Sequence, residues 1–197
     1  LADWLNENAQ IDNNGLCRTT SRNQIIRACV PMHSFGHPCD IDALVAVCSK
    51  WNIALVEDAA ESLGSLYKGR HTGTFGMLGI LSFNGNKIIT TSGGGMLMSD
   101  DGDLIARARK LATQAREPAR HYEHTEIGFN YRMSEVEAAI GIEQLKKVNS
   151  FLAARRRNFG TLAEHLSDIP EISIIDTDQP GFESSLYCLS VVLSDRL

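Results

Sequence analysis

Short apolar runs separated by polar turns dominate the first half of the chain. They predict strands at 24–30, 51–56, 79–81 and 95–99. The run 51–56 is nearly continuous in apolar residues, which is typical of a parallel strand covered on both faces. After Asp40 the apolar positions instead recur at helical spacing as far as Lys50, which predicts a helix. Asp40 is suited to capping the N-terminus of that helix. Residues 25–61 therefore predict a β-α-β unit with a right-handed crossover.

The second half of the chain has mainly helical periodicity. A helix is expected over 102–114, and a longer helical pattern runs over 134–168, with Ser134 and Glu137 in the positions of a capping box and a break near 149–150. Pro170 ends that pattern, and a strand is predicted at 172–175. These boundaries divide the chain into part of a large α/β domain (1–133), a long connecting helix (134–168) and the start of a small C-terminal domain (169–197).

Composition narrows the classes of protein to which the chain could belong. The chain has 197 residues, 43% of them hydrophobic, and its net charge is −5. No basic run is longer than three arginines, so we expect no nucleic-acid partner. No apolar run approaches the roughly 20 residues that span a bilayer, and the acidic start does not resemble a signal peptide, so we expect a cytoplasmic protein without a membrane partner. The five cysteines lack a C-x-x-C pair, and Cys29, Cys39 and Cys48 lie within or beside apolar segments, which predicts small buried side chains rather than disulfide bridges or zinc ligands.

One lysine and one acid lie where chemistry is expected. Asp58 follows the strand 51–56, at the sheet edge where open α/β sheets bind ligands. Lys87 lies in an Asn/Gly turn between the strands 79–81 and 95–99. A lysine on such a turn is ordinarily a solubility residue. A lysine that forms a Schiff base, together with a strand-end acid for the pyridine nitrogen, is what a pyridoxal phosphate site requires. A P-loop fits poorly, because Lys87 is followed by Ile88 rather than Ser or Thr.

Four motifs carry a resemblance to a known family. They are EDAAESLG at 57–64, GTFG at 73–76, SFNGNK at 82–87 and GFNYRMS at 128–134. Their order and spacing resemble the DegT/DnrJ/EryC1/StrS family of nucleotide-sugar aminotransferases over roughly 25–166. The resemblance implies the large domain of a fold-type-I transferase, with a mostly parallel sheet between helices and pyridoxal 5'-phosphate as cofactor. Because members of that family are longer, the chain resembles the middle of such an enzyme.

The resemblance implies roles for four residues around the cofactor. Lys87 would be the Schiff-base lysine and later the general base, and Asp58 would pair with the pyridine nitrogen. Ser82 would donate to the cofactor phosphate. Glu61 falls where relatives commonly carry Gln or His near the cofactor's phenolic oxygen. An ionised Glu would repel that oxygen, so Glu61 is expected either to be protonated or to face the substrate.

Three further residues are implied at the edges of the site. Asn130 corresponds to the position that reaches the cofactor phosphate of a partner subunit, which implies a homodimer with shared active sites. Arg132 is either a contact for the sugar diphosphate or a surface ion pair. His33 lies on a loop near the cofactor edge and is either a substrate contact or a structural histidine.

The NGNK form most resembles the branch of the family that aminates UDP-4-keto-6-deoxy-N-acetylhexosamines. The implied reaction moves an amino group from L-glutamate to C4 of such a nucleotide sugar, for surface glycans or glycoproteins. Two alternatives remain at this stage. One is a sugar 3-dehydratase, whose members replace the lysine with histidine, and the other is a non-catalytic fragment or scaffold with the same fold.

Overall fold

The structure is a computed structural model that describes residues 1–175 and 179–194, in which strands predominate up to residue 98, helices from 102 to 166 and short strands after that. The helices are α1 (Ala2–Asn8), α2 (Ile41–Lys50), α3 (Gly102–Ala112), α4 (Glu135–Leu145) and α5 (Val148–Leu166), with a 3-10 turn at Ser34–Gly36. The strands are β1 (Ala9–Ile11), β2 (Cys17–Thr19), β3 (Ala28–Cys29), β4 (Ala54–Asp58), β5 (Leu66–Tyr67), β6 (Arg70–His71), β7 (Leu78–Ser82), β8 (Gly95–Met98), β9 (Ile172–Ile174), β10 (Phe182–Glu183) and β11 (Val191–Leu193).

The central sheet has the strand order β3-β4-β7-β8. The pairs β3–β4 and β4–β7 are parallel, whereas β7 and β8 are antiparallel. The expected mostly parallel sheet is therefore confirmed, with one reversed strand. The reversal follows from the connection, because the turn that carries Lys87 joins β7 to β8 without the crossover helix that a parallel pair needs.

The two faces of this sheet differ in how well they are covered. Leu55 and Glu57 of β4 are buried, whereas Val56 and Asp58, which alternate with them, are only half-buried. Asp58 lies opposite Ile80 of β7, and Ile80 remains 37% exposed. Because directly opposed residues of neighbouring strands project from the same face, one face is packed and the other is open in this chain.

Local sequence signals set the ends of the helices as expected. The Asp40 side chain accepts a hydrogen bond from the Ala43 backbone N–H at 3.2 Å, and α2 packs on β4. Ser134 and Glu137 form the predicted capping box at the start of α4. The long helical segment breaks between α4 and α5, at Lys146 and Lys147, slightly before the predicted break.

The predicted strand at 24–30 is wrong over its first part. Only Ala28 and Cys29 pair with β4 in the central sheet. Ile25 instead bridges Arg18, and the Ile26 backbone N–H donates to Cys17, so this stretch lies beside the β1–β2 hairpin. The backbone of Gln24 and Ile26 pairs with that hairpin, whereas the Arg27 carbonyl already accepts the Ala54 N–H of β4. An apolar pattern does not distinguish between these two partners.

The C-terminal segment returns to the first part of the chain. Strand β10 pairs antiparallel with β5, extending the β5–β6 hairpin, while β9 and β11 pair with each other. The division into 1–133, 134–168 and 169–197 stays a prediction, and its last region includes 176–178 and 195–197, which lie outside the described residues. All five cysteines are free thiols, and of the three predicted to be buried, Cys48 is buried whereas Cys29 and Cys39 are only half-buried. In the described part of the chain, no helix is long and apolar enough to cross a membrane.

Candidate active site

The turn after β7 carries Lys87 and is anchored by apolar packing. Phe83, Ile88 and Ile89 of this turn are buried in one apolar cluster, together with Leu152 of α5. The Lys87 backbone N–H donates to the Asn84 carbonyl at 3.0 Å, which closes the turn. A lysine held by a packed turn in this way has little freedom of position. Its side chain is accordingly only 14% exposed.

Two groups flank the amine of Lys87. Glu61 Oε1 lies 3.6 Å from Lys87 Nζ, and the centroid of the Tyr187 ring lies 5.0 Å from the same nitrogen. Glu61 Oε2 accepts the backbone N–H of Phe35 at 2.8 Å. The sequence left two alternatives for Glu61, namely that it is protonated or that it faces the substrate. In the structure this carboxylate lies beside the lysine, and its second oxygen is occupied by a backbone donor.

Asp58 and Ser82 end neighbouring parallel strands on the open face of the sheet. Asp58 lies opposite Ile80, and Ser82 follows Ile80 by two positions, so the two side chains project from the same face. Asp58 Oδ1 accepts from the Ala60 N–H at 3.0 Å, and within the described residues no hydrogen bond engages its other oxygen. Ser82 Oγ accepts from the Asn84 N–H at 3.4 Å, which leaves its own O–H free to donate.

His33 has a structural environment rather than a substrate-facing one. It is fully buried, and its Nε2 lies 3.1 Å from Glu57 Oε2. Its Nδ1 accepts the Cys39 backbone N–H at 3.1 Å, which leaves Nε2 to donate to Glu57. Both nitrogens are thus engaged within the chain. The geometry supports the structural alternative for His33 and not the substrate contact.

Glu57 is a residue that sequence reasoning missed. It is fully buried, and its carboxylate accepts backbone N–H groups from Gly73, Phe75 and Gly76 at 2.7, 2.6 and 2.7 Å, besides the His33 contact. Burial alone would raise the pKa of Glu57, but these four donors outweigh it and the pKa is lowered. The sequence signal for Glu57 is that an acid occupies a position of an apolar strand that faces the covered side of the sheet. This carboxylate fixes the loop of the GTFG motif against β4.

Asn130 and Arg132 lie on an exposed segment between α3 and α4. The neighbouring Phe129 and Tyr131 donate backbone N–H groups to the end of α3, which holds the segment in place. No hydrogen bond or ion pair in 1–175 and 179–194 joins Asn130 or Arg132 to the residues at the sheet edge. Arg132 lines a surface cleft of about 350 Å³ together with Arg116 and Tyr122.

The donor set at the sheet edge fits pyridoxal phosphate. The cofactor needs a primary amine near its aldehyde, a carboxylate for its ring nitrogen and hydrogen-bond donors for its phosphate. Lys87 supplies a shielded amine, Asp58 an uncommitted carboxylate oxygen and Ser82 a hydroxyl on the same open face. These three residues would hold the cofactor. In the described residues no cluster of three His, Cys, Asp or Glu side chains suited to a metal ion is found.

An α/β domain with a strand-end acid and a turn-borne lysine defines the class of fold-type-I pyridoxal phosphate enzymes. The sequence profile described as the DegT/DnrJ/EryC1/StrS aminotransferase family matches residues 2–196, so the chain belongs to this family, whose members are pyridoxal phosphate-dependent sugar aminotransferases.

Relatives agree with this assignment. The chain is 52% identical over 133 residues to a protein named putative pyridoxal phosphate-dependent aminotransferase EpsN from Bacillus subtilis (strain 168), covering 68% of this chain and 34% of that protein. It is 43% identical over 141 residues to a GDP-perosamine synthase of Caulobacter vibrioides, covering 72% and 38%. The chain thus spans well under half the length of these curated relatives.

Solved structures share the fold. The aminotransferase TlmJ from Streptoalloteichus hindustanus superimposes with a TM-score of 0.81 at 33% identity, over 85% of this chain and 46% of that one. DesI, whose structure was determined in the presence of its TDP-sugar product, superimposes with a TM-score of 0.79 at 30% identity, over 89% and 44%. The expected fold class is therefore confirmed.

Proposed function

We propose that the chain carries the lysine-bearing part of an aminotransferase that moves an amino group from L-glutamate to a nucleotide-linked keto sugar. The observation that carries the proposal is the amine of Lys87, shielded between Glu61 and Tyr187 beside the sheet edge that bears Asp58. Membership of the sugar aminotransferase family supports the reaction class. C4 of a UDP-4-keto-6-deoxy-N-acetylhexosamine is the acceptor proposed first, on the resemblance of the NGNK turn.

Each residue of the sheet edge has a definite task in this proposal. Pyridoxal phosphate, when bound, supplies an aldehyde for covalent attachment and an electron-withdrawing ring. Lys87 binds the cofactor covalently and, once released, moves a proton at the substrate carbon. Asp58 holds a proton on the pyridine nitrogen through its uncommitted oxygen. Glu61 holds the Lys87 amine in position, because its carboxylate lies close to the lysine nitrogen.

The cleft beside Arg132 supports a nucleotide-sugar substrate. Arg116 and Arg132 line it together with polar groups of Thr113, Gln114 and Glu117. The Glu117 carboxylate is paired with Lys110, so the two guanidinium groups are the charges left to meet a ligand there. Guanidinium groups pair well with phosphate oxygens, and a nucleotide sugar carries a diphosphate. The relatives named above include a GDP-sugar enzyme and a structure with a TDP-sugar. The identity of the nucleotide in the substrate is therefore to be determined with the panel of nucleotide-linked keto sugars described below.

The segment that carries Asn130 supports a homodimer with shared sites. Ile127, Phe129 and Tyr131 are 82%, 57% and 75% exposed, and the two aromatic rings stack on each other with centroids 5.3 Å apart. Large exposed apolar groups in one short segment are typical of an interaction surface. A partner that covers them would meet Asn130 there, and the resemblance implies that Asn130 reaches the partner's cofactor phosphate.

Titration with pyridoxal phosphate tests the proposal. We expect an absorbance band at about 420 nm, from the cofactor attached to Lys87, and its loss in Lys87→Ala. Lys146→Ala is the matched control, since that lysine is 63% exposed and lies on the far end of α4. Bleaching of the band by L-glutamate indicates a transaminase, and a band without bleaching contradicts transamination. Absence of any band indicates a scaffold.

Mass spectrometry of products from UDP-, GDP- and dTDP-linked keto sugars then identifies the acceptor.

A further inference from the structure

A late segment of the chain crosses the loop that precedes α2. Ser184 Oγ and Ser65 Oγ both donate to the Gly36 carbonyl, at 3.0 and 2.6 Å, and the Ser185 backbone N–H donates to Ser65 Oγ at 2.9 Å. A Cβ at Gly36 would collide with Ser185 Oγ, and Gly36 has φ of +83°. Glycine is thus required here for both reasons, and the two backbones lie in direct contact.

The crossing continues as far as Tyr187 and fixes its backbone. The Tyr187 N–H donates to the Phe35 carbonyl at 3.1 Å, and its own carbonyl accepts Arg155 Nη1 of α5 at 2.9 Å. Phe35 and Leu186 have φ of 59° and 52°, in the left-handed region that non-glycine residues rarely adopt. Such residues persist where their surroundings over-determine them, and they cluster at functional sites.

The side chain of Tyr187 reaches the lysine turn in two ways. Its ring lies 5.0 Å from Lys87 Nζ, within the range of a cation–π contact. Its hydroxyl accepts the side-chain N–H of Asn86 at 2.7 Å, although the two residues are 101 positions apart. Glu61 Oε1 lies 3.6 Å from the same nitrogen. Tyr187 therefore covers the Lys87 amine and, through Asn86, also holds in place the turn that carries this lysine.

We propose that Tyr187 is a positioning residue of the active site, which acts through Lys87. Its ring shields the amine from water and favours the amine's location against Glu61, and its hydroxyl holds the turn through Asn86. The inference deepens the proposed function, because it rests on Lys87 as the residue that attaches the cofactor. The site is then built from the central motifs together with a residue about 100 positions later in the chain.

The first test needs no cofactor. The chain is treated briefly with N-acetoxysuccinimide, and acetylation of each lysine is followed by mass spectrometry. We expect Lys87 to react much more slowly than Lys146 in the unsubstituted chain. Relative to its own rate there, Lys87 should react about fivefold faster in Tyr187→Leu. It should react about twofold faster in Tyr187→Phe, which keeps the ring but loses the hydrogen bond to Asn86. Cys188→Ala, one residue away, is the control. Each variant's thermal midpoint is measured in parallel.

Every outcome decides the inference. An unchanged Lys87 rate in Tyr187→Leu overturns it, and so does an equal acceleration of all lysines, which would mean that Tyr187 only stabilises the fold. Should Tyr187→Leu fail to fold, Asn86→Ala takes its place. It keeps the ring but removes the bond to the hydroxyl, and we expect about a twofold faster reaction, confined to Lys87. An unchanged rate in Asn86→Ala then overturns the fastening role.

The second test follows pyridoxal phosphate trapped on Lys87 by borohydride reduction. Tyr187→Leu should trap it several-fold less completely at limiting cofactor, with Tyr187→Phe between Tyr187→Leu and the unsubstituted chain. Equal trapping in all three contradicts the inference while leaving the proposed function in place. If the unsubstituted chain traps none on Lys87, the proposed function fails, and acetylation still decides whether Tyr187 covers the amine.

Discussion

Glu57 and Asp58 are adjacent acids on one strand, and the structure gives them opposite environments. Glu57 faces the packed side of the sheet, where four N–H groups surround it. Asp58 faces the open side, where one backbone N–H engages it and one oxygen stays uncommitted. The alternation of side chains along a strand is enough to produce this difference. A carboxylate that is fully satisfied stabilises the fold, and one that is half-satisfied can bind a ligand.

The largest effect is expected for Glu57→Ala. Removing the carboxylate leaves the N–H groups of Gly73, Phe75 and Gly76 and the His33 ring without their acceptor in a buried site. We expect the free energy of unfolding to fall by about 4 kcal/mol, measured by urea denaturation. Glu57→Gln, which keeps one acceptor oxygen, should lose clearly less. A loss under about 1 kcal/mol in Glu57→Ala would remove the distinction between the two acids.

Asp58→Asn should show the reverse pattern. The amide oxygen can still accept from Ala60, so the free energy of unfolding should change by less than about 0.5 kcal/mol. Loss of the charge for the pyridine nitrogen should weaken pyridoxal phosphate binding by about thirtyfold, or ~2 kcal/mol. The absorbance titration described above measures this. Unchanged affinity would mean that the open face does not bind the cofactor through Asp58.

The smallest effect is the pH dependence that Glu57 introduces. Its pKa is lower in the folded chain than in the unfolded chain, so the unfolded chain binds the proton more readily. The stabilisation is therefore complete above the unfolded pKa and is lost as pH falls through the folded pKa. Urea denaturation at pH 7, 5, 4 and 3 should show a steeper loss for the unsubstituted chain than for Glu57→Gln. Parallel curves for the two would contradict the assignment.

Local signals made much of the fold predictable. Asp40, Ser134 and Glu137 act within three residues of their partners, so their caps could be inferred from spacing alone. The strand that ends in Asp58 and the turn that carries Lys87 follow from short apolar runs and glycines. The direction of β8 could be obtained only from its connection, since an apolar pattern does not encode the direction of pairing.

What the sequence could not supply depends on contacts between distant residues. Tyr187 reaches Asn86 over 101 positions, and nothing near either residue indicates the other. Glu57 was grouped with the strand-end motif, because spacing alone did not show that the GTFG loop folds back onto it. Glu61 could be placed near the site but not beside the lysine, since that contact depends on how Phe35 turns its backbone N–H inward.

The crossing of the loops at Gly36 also sets an order of events during synthesis. A nascent chain that has left the ribosome only as far as Leu166 already has the turn with Lys87, but not the tyrosine that covers it. Until that tyrosine arrives, the amine is open to any aldehyde in its surroundings. Synthesis of the segment that carries Tyr187 is thus what encloses the amine.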